Sequence, residues 1–191
     1  MIPSNNFLKP VIKEDYAIVL DYLSNGYPME NRRMPVGQVI GKSHLFLLEV
    51  IPKKDVSLTP LSNVYIGNDK RDEIHHVSGK IPYSKLTSTA RMNLDLAINN
   101  IIDENSEKWI NFFNKSGPIS KRLHQLELLP GIGNKHMWAI LDARQEALFT
   151  SFDDISSRVP AIPNPKELII KRIKIELNEE DKYRLFVIWS V

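Results

Sequence analysis

Two hydrophobic periods divide this chain. Up to about Leu86, apolar residues come in short runs separated by turn-forming residues; from Thr87 they recur every three or four positions. The runs at 15–23, 35–40, 43–51 and 63–67 predict strands, with a further one over 70–77. Strands so short and closely spaced predict a small closed or nearly closed barrel of the oligonucleotide-binding type, because closure hides the edges of a short sheet. Beyond the change of period, Leu94, Ala97, Ile98 and Ile101 mark a helix over 88–100, and Trp109, Ile110, Phe112 and Phe113 another over 106–115. Gly117-Pro118 interrupts the pattern, and helices are then expected over 119–128, 134–144, 152–158 and 165–177. The closing residues 181–191 read as a last strand returning to the barrel, or as an apolar tail for a partner, the strand being preferred. The expected class is α+β: an N-terminal barrel domain over 1–86 and an all-helical domain over 87–191.

Residues 128–144 carry the most specific signal. Pro130 stops a helix, Gly131 and Gly133 free the backbone, and Asn134 starts a new helix whose first N–H groups lack internal partners. The positive end of a helix is a ready anion site. No strand precedes this loop and a third glycine is missing, so it is not a dinucleotide-binding fingerprint. The spacing resembles the helix-hairpin-helix of DNA- and RNA-binding proteins, here spanning 119–144. That resemblance implies that Gly131 and Gly133 bring the backbone close to a phosphate, that Lys135 adds a charge and that Ile132 anchors the loop. Ala139 and Leu141 would pack the two helices together. The alternative is a tight turn between core helices, with no ligand.

Charge alone does not suggest nucleic acid, since the net charge of the 191 residues is only +2. Locally the picture changes: residues 115–144 hold five basic side chains against two acidic ones, and His124 and His136 lie among them. A basic face with Lys121 and Arg122 beside Asn134, Lys135 and His136 would attract phosphate without reading sequence. The chain has no cysteine, which excludes disulfides, thiolate metal sites and a cysteine nucleophile. No signal peptide or membrane span is expected, and the cytoplasm is the expected compartment.

Other constellations are less specific. Arg32 and Arg33, near Tyr22 and Tyr27, would clamp phosphate and stack a base in the loop after the first strand, or simply form a solvated turn. His75 and His76, adjacent on a strand, would point to opposite faces and so not share a metal. Trp109, Phe112 and Phe113 read as a core stripe and Trp138 as half-buried, which leaves all four outside the expected site. An enzymatic alternative rests on DNA glycosylases in which a similar hairpin carries a catalytic lysine followed by an aspartate; Lys135 with Asp153 or Asp154 matches that order. The aspartates are equally explained as the start of a helix.

Beyond these motifs, the chain resembles an archaeal family of uncharacterised proteins, DUF655-type, expected to bind RNA. The resemblance runs through Tyr16-Ala17-Ile18-Val19-Leu20-Asp21-Tyr22-Leu23, Ile74-His75-His76-Val77, Ile81-Pro82-Tyr83, Phe112-Phe113-Asn114-Lys115, Arg122-Leu123-His124-Gln125-Leu126-Glu127-Leu128-Leu129-Pro130-Gly131-Ile132-Gly133 and Asp181-Lys182-Tyr183-Arg184-Leu185-Phe186. It implies an oligonucleotide-binding-like barrel joined to helix-hairpin-helix elements, with nucleic-acid binding as the activity; a non-catalytic protein is expected, without metal or cofactor. RNA is favoured over DNA as partner, and a ribosomal or transcription complex is an alternative docking place.

Overall fold

The computed structural model describes residues 13–28, 33–179 and 181–187. Strands β1 (Tyr16–Leu23), β2 (Val36–Gly41), β3 (Leu47–Pro52), β4 (Asn63–Tyr65) and β5 (Ile74–Lys80) form one antiparallel sheet in the order β4-β1-β2-β3-β5. The first half of β1, residues 16–20, reads as an unbroken apolar run because the sheet is covered there on both faces. Ile18 and Leu20 enter a core shared with the helices, while Ala17 and Val19 enter a second core inside the curl of the sheet with Val39, Val50, Val64 and Ile74. Bulges produce that curl: Leu20 is the extra residue against β2, and Ser78 and His75 are the extra residues against β3. The inner core is tight at Gly37, where an added Cβ would lie 2.7 Å from Leu58 and 2.9 Å from Val50.

Among the described residues β4 and β5 do not pair, so the sheet is an open half-barrel rather than the closed or nearly closed barrel expected. The strand expected from residue 43 begins only at Leu47. Buried Glu14 explains the delay: its carboxylate accepts the amides of Ser43 (2.8 Å), His44 (2.7 Å) and Phe46 (3.3 Å) and holds 43–46 as a loop.

Helix α1 (Ser88–Glu104) docks on β1 and runs past its expected end. The Thr87 hydroxyl caps it by accepting the Ala90 amide (3.0 Å) and donates to Asp21 (2.6 Å), while Asn93 donates to the carbonyl of the bulged Leu20 (2.9 Å). Buried Gln38 adds bonds to the Lys85 carbonyl (2.9 Å) and from the Thr87 amide (2.9 Å). The expected domain boundary near residue 86 is therefore a covalent corner stitched to the sheet, and the larger apolar core crosses it. Helix α2 (Ser106–Lys115) follows.

Residues 119–128 do not form the expected helix, and the C-terminal half is not all-helical. A hairpin of β6 (Pro118–Ser120) and β7 (Leu123–His124) is followed by a single 3₁₀ turn, Gln125–Leu128. Gln125 closes the hairpin base, its amide donating to the Gly117 carbonyl (3.0 Å) and its Oε1 accepting the Gly117 amide (2.8 Å). One turn suffices to bury Leu126, and Pro130 prevents further winding. Helices α3 (Asn134–Glu146), α4 (Phe152–Arg158) and α5 (Pro165–Leu177) match the expected spans closely.

Residues 181–187 form no strand and instead lie along α5; residues 188–191, including Trp189, lie outside the described residues. Two buried charges on α5 hold the segment. Glu176 accepts the amides of Leu185 (2.8 Å), Phe186 (2.9 Å) and Val187 (2.9 Å), and Arg172 pairs with Glu176 (2.8 Å) and Asp181 (2.8 Å). The Tyr183 amide and then Arg172, both hydrogen-bonded to it, hold the Asp181 carboxyl below its ordinary pKa. Phe186 then packs edge-on against Trp109 and Phe112.

Candidate nucleic-acid interface

The loop 129–133 is built from local necessity. Ile132 is buried and its amide donates to the Leu129 carbonyl (3.0 Å), closing the turn. Gly131 sits at φ +88°, a conformation that disfavours any side chain. His136 Nδ1 approaches the Gly131 carbonyl (3.1 Å), and Arg172 donates to the Leu128 carbonyl (3.1 Å), tying the loop to α5. The loop is thus fixed by its flanks, which leaves its outer edge free.

That outer edge is the N-terminus of α3. Gly133 occupies the N-cap position at φ −101°, ψ −177°, with no side chain to cap the helix. The first helical bond runs from the Met137 amide to the Gly133 carbonyl (2.9 Å). Among the described residues, the amides of Asn134, Lys135 and His136 meet no protein acceptor. Nothing lies within 4 Å of where a Cβ on Gly133 would stand. Three unpartnered donors thus face open space at the positive end of a thirteen-residue helix.

Beside them runs a groove of about 530 Å³ between the β6–β7 hairpin and α3. Lys121 and Arg122, both exposed, project from the hairpin turn, and Asn134 and Trp138 line the α3 side. Trp138 is 53% exposed, in keeping with the half-burial expected, but the sequence reading missed its place in this groove. The signal was there: Trp138 stands four residues after Asn134, hence on the same helix face. Arg144 also lines the groove but points inward, donating to the Phe113 carbonyl (2.9 Å) and Ser116 Oγ (3.2 Å) at the end of α2. His124 lies at the groove floor and caps the 3₁₀ turn: its Nδ1 accepts the Leu126 amide (3.1 Å), and its own amide donates to Glu127 (2.8 Å).

The structure thus gathers Gly131, Ile132, Gly133, Asn134, Lys135 and His136 in one loop and helix start, with Lys121 and Arg122 across the groove. Half-buried Ala139 and Leu141 pack against the main core. Arg33 is exposed and does not line this groove; Arg32 lies outside the described residues. Met34, the next residue, lines a separate groove of about 700 Å³ with Tyr22, Lys53, Lys54, His75 and His76. Tyr27 is not free to stack on a base, because its hydroxyl donates to Glu49 (2.8 Å) and accepts from Gln38 (3.0 Å) while Lys85 covers its ring. His75 and His76 do not point apart: the bulge at His75 brings their Nδ1 atoms to 2.8 Å. Among the described residues no group of three or more His, Asp or Glu is placed to hold a metal ion.

Of the residues of the enzymatic alternative, Lys135 lies in the first turn of α3 and Asp153 and Asp154 in that of α4. Asp154 accepts the Thr150 amide (3.0 Å) and faces Arg158 (3.5 Å) at the start of α4. Asp153 lines a depression with Ser106, Phe152 and Lys166 that does not include Lys135.

Among the described residues no helix is long and apolar enough to cross a membrane. The chain is 43% identical over 184 residues to the uncharacterised protein MJ0038 of Methanocaldococcus jannaschii, a match covering 95% of this chain and 83% of that protein. It also resembles the crystal structure of Af1531 from Archaeoglobus fulgidus, with a TM-score of 0.86 and 40% identity across 92% of this chain and all of the other. The family model described as "Protein of unknown function (DUF655)" matches residues 13–188, and on that breadth of agreement the chain belongs to the DUF655 family.

Proposed function

We propose that this chain is a non-catalytic nucleic-acid-binding protein that grips a backbone phosphate at the N-terminus of α3. One observation carries the reading: three unpartnered amides beneath a glycine whose side-chain space is open. An anion seated there would take up donors that otherwise only water satisfies. Lys135, Lys121 and Arg122 add charge around it and make the attraction dependent on salt. The element acts as a shortened helix-hairpin-helix in which a single 3₁₀ turn replaces the first helix.

The half-barrel is antiparallel throughout, β5 against β3 included, and its part in this reading rests on the sequence resemblance alone. RNA rather than DNA is the ligand that the sequence resemblance favours, since a phosphate grip by itself does not read a 2′-hydroxyl.

The test is fluorescence anisotropy of the purified chain against single-stranded and duplex RNA and DNA over a salt series, with Gly133→Val alongside. The φ and ψ of Gly133 suit any residue, so the variant folds. Binding that weakens with salt and is lost in the variant supports the grip. Equal binding by both proteins removes α3 from the interface.

A further inference from the structure

The groove beside α3 holds two side chains that a backbone grip does not need. We propose that it is a subsite for one unpaired nucleobase and its phosphate, stacked on Trp138 and hydrogen-bonded by His124. This rests on the nucleic-acid reading above and narrows it to strands whose bases are free to leave the stack.

Trp138 presents a large aromatic surface to solvent although the core beneath is complete without it. Bases stack on such rings irrespective of sequence. Lys121 and Arg122 flank the ring from the hairpin turn, positioned to pair with the phosphate of the stacked nucleotide. A groove of about 530 Å³ falls within the range of small-ligand sites.

His124 supplies the independent observation. The residue is only 8% exposed, yet it lines the groove. Its Nδ1 accepts the Leu126 amide, so the neutral ring carries its proton on Nε2. Nε2 donates to no described residue and is not among the buried unpartnered atoms, so it keeps access to solvent, and the residue itself lines the groove. Burial, then the charge of Arg144, hold the imidazole below its ordinary pKa, with Glu127 acting more weakly the other way. The Nε2–H of this largely buried residue thus has no acceptor among the described residues, and a base carbonyl or phosphate oxygen entering the groove would accept its hydrogen bond. Bases within a duplex are already stacked and cannot lie on Trp138 without opening.

Two measurements separate this subsite from the grip. In anisotropy, Trp138→Ala should weaken binding of a single-stranded uridine dodecamer about 5- to 150-fold, while a duplex RNA of equal length changes less than about twofold. Trp138→Phe should restore most of the affinity, and His124→Asn, which retains the cap on Leu126, should weaken the single strand alone. In fluorescence, a uridine mononucleotide should quench the wild-type chain and Gly133→Val, but not Trp138→Phe. Equal loss for single strand and duplex in Trp138→Ala, or quenching unchanged in Trp138→Phe, overturns the subsite. Binding that Gly133→Val abolishes and Trp138→Ala leaves intact also overturns it while sparing the grip.

Discussion

Gly133→Asp should raise stability and abolish binding in the same molecule. Gly133 is the N-cap of α3, in an extended conformation that any residue adopts, with nothing within 4 Å of its missing Cβ. A capping carboxylate there would accept the free amides at N2 or N3, worth a few tenths of a kcal/mol over glycine. Its charge at the positive end of the helix adds about 0.3–1 kcal/mol, and reduced freedom of the unfolded chain adds about 0.4–1 kcal/mol. Together these give about 1–2 kcal/mol, a rise in Tm of roughly 2–8 °C for a chain of this size. The same carboxylate occupies the donors that the phosphate would use and repels it. Losing even one charge-assisted hydrogen bond costs about 1.5–3 kcal/mol, or roughly 10- to 150-fold in affinity. Thermal unfolding and anisotropy on one preparation read both effects. A lower Tm would refute the vacant cap; a higher Tm with unchanged affinity would refute the grip.

Other expectations follow from the same structure. His124 has its pKa lowered by burial and then by Arg144, so the unfolded chain binds that proton more readily and stability should fall as pH drops below the ordinary histidine value of about 6.5; thermal melts at pH 7.5 and 5.5 should show a smaller acid loss in His124→Asn than in the wild type. Glu176→Ala leaves Arg172 buried without its helix partner and strips three amides of their acceptor, which should cost about 3–5 kcal/mol and expose Lys182 and Arg184 to trypsin in limited proteolysis. Gly131→Ala forces a side chain into φ +88° and should cost about 1–2 kcal/mol in urea unfolding, the turn being rebuilt by no neighbouring contact.

What the chain revealed directly was local. The run around Val19 announces a strand, the spacing of Leu94, Ala97, Ile98 and Ile101 marks α1, and Leu-Pro-Gly-Ile-Gly marks a turn into a helix. The misreadings all depended on partners distant in sequence. Leu123 and Leu126 have the spacing of a helix, but the Gly117–Gln125 bonds pull the segment into a hairpin and leave one 3₁₀ turn. Residues 181–187 look like a strand, yet their hydrogen-bond partner is the Glu176 side chain on a helix rather than a neighbouring strand. Strict alternation places His75 and His76 on opposite faces, and one extra residue in the β3–β5 ladder reverses that. Half-burial alone leaves Trp138 outside the expected site, although its place in the helix register puts it on the face of Asn134, where both line the groove.

The central claim is that unpartnered amides at the start of α3 hold a phosphate. The direct measurement is the salt dependence of single-stranded RNA affinity in the wild-type chain and in Gly133→Val. The account predicts an affinity that falls steeply with salt in the wild type and is lost in a variant whose cooperative thermal unfolding shows that it is folded. A correctly folded variant that binds with the wild-type affinity and the wild-type salt slope would contradict it.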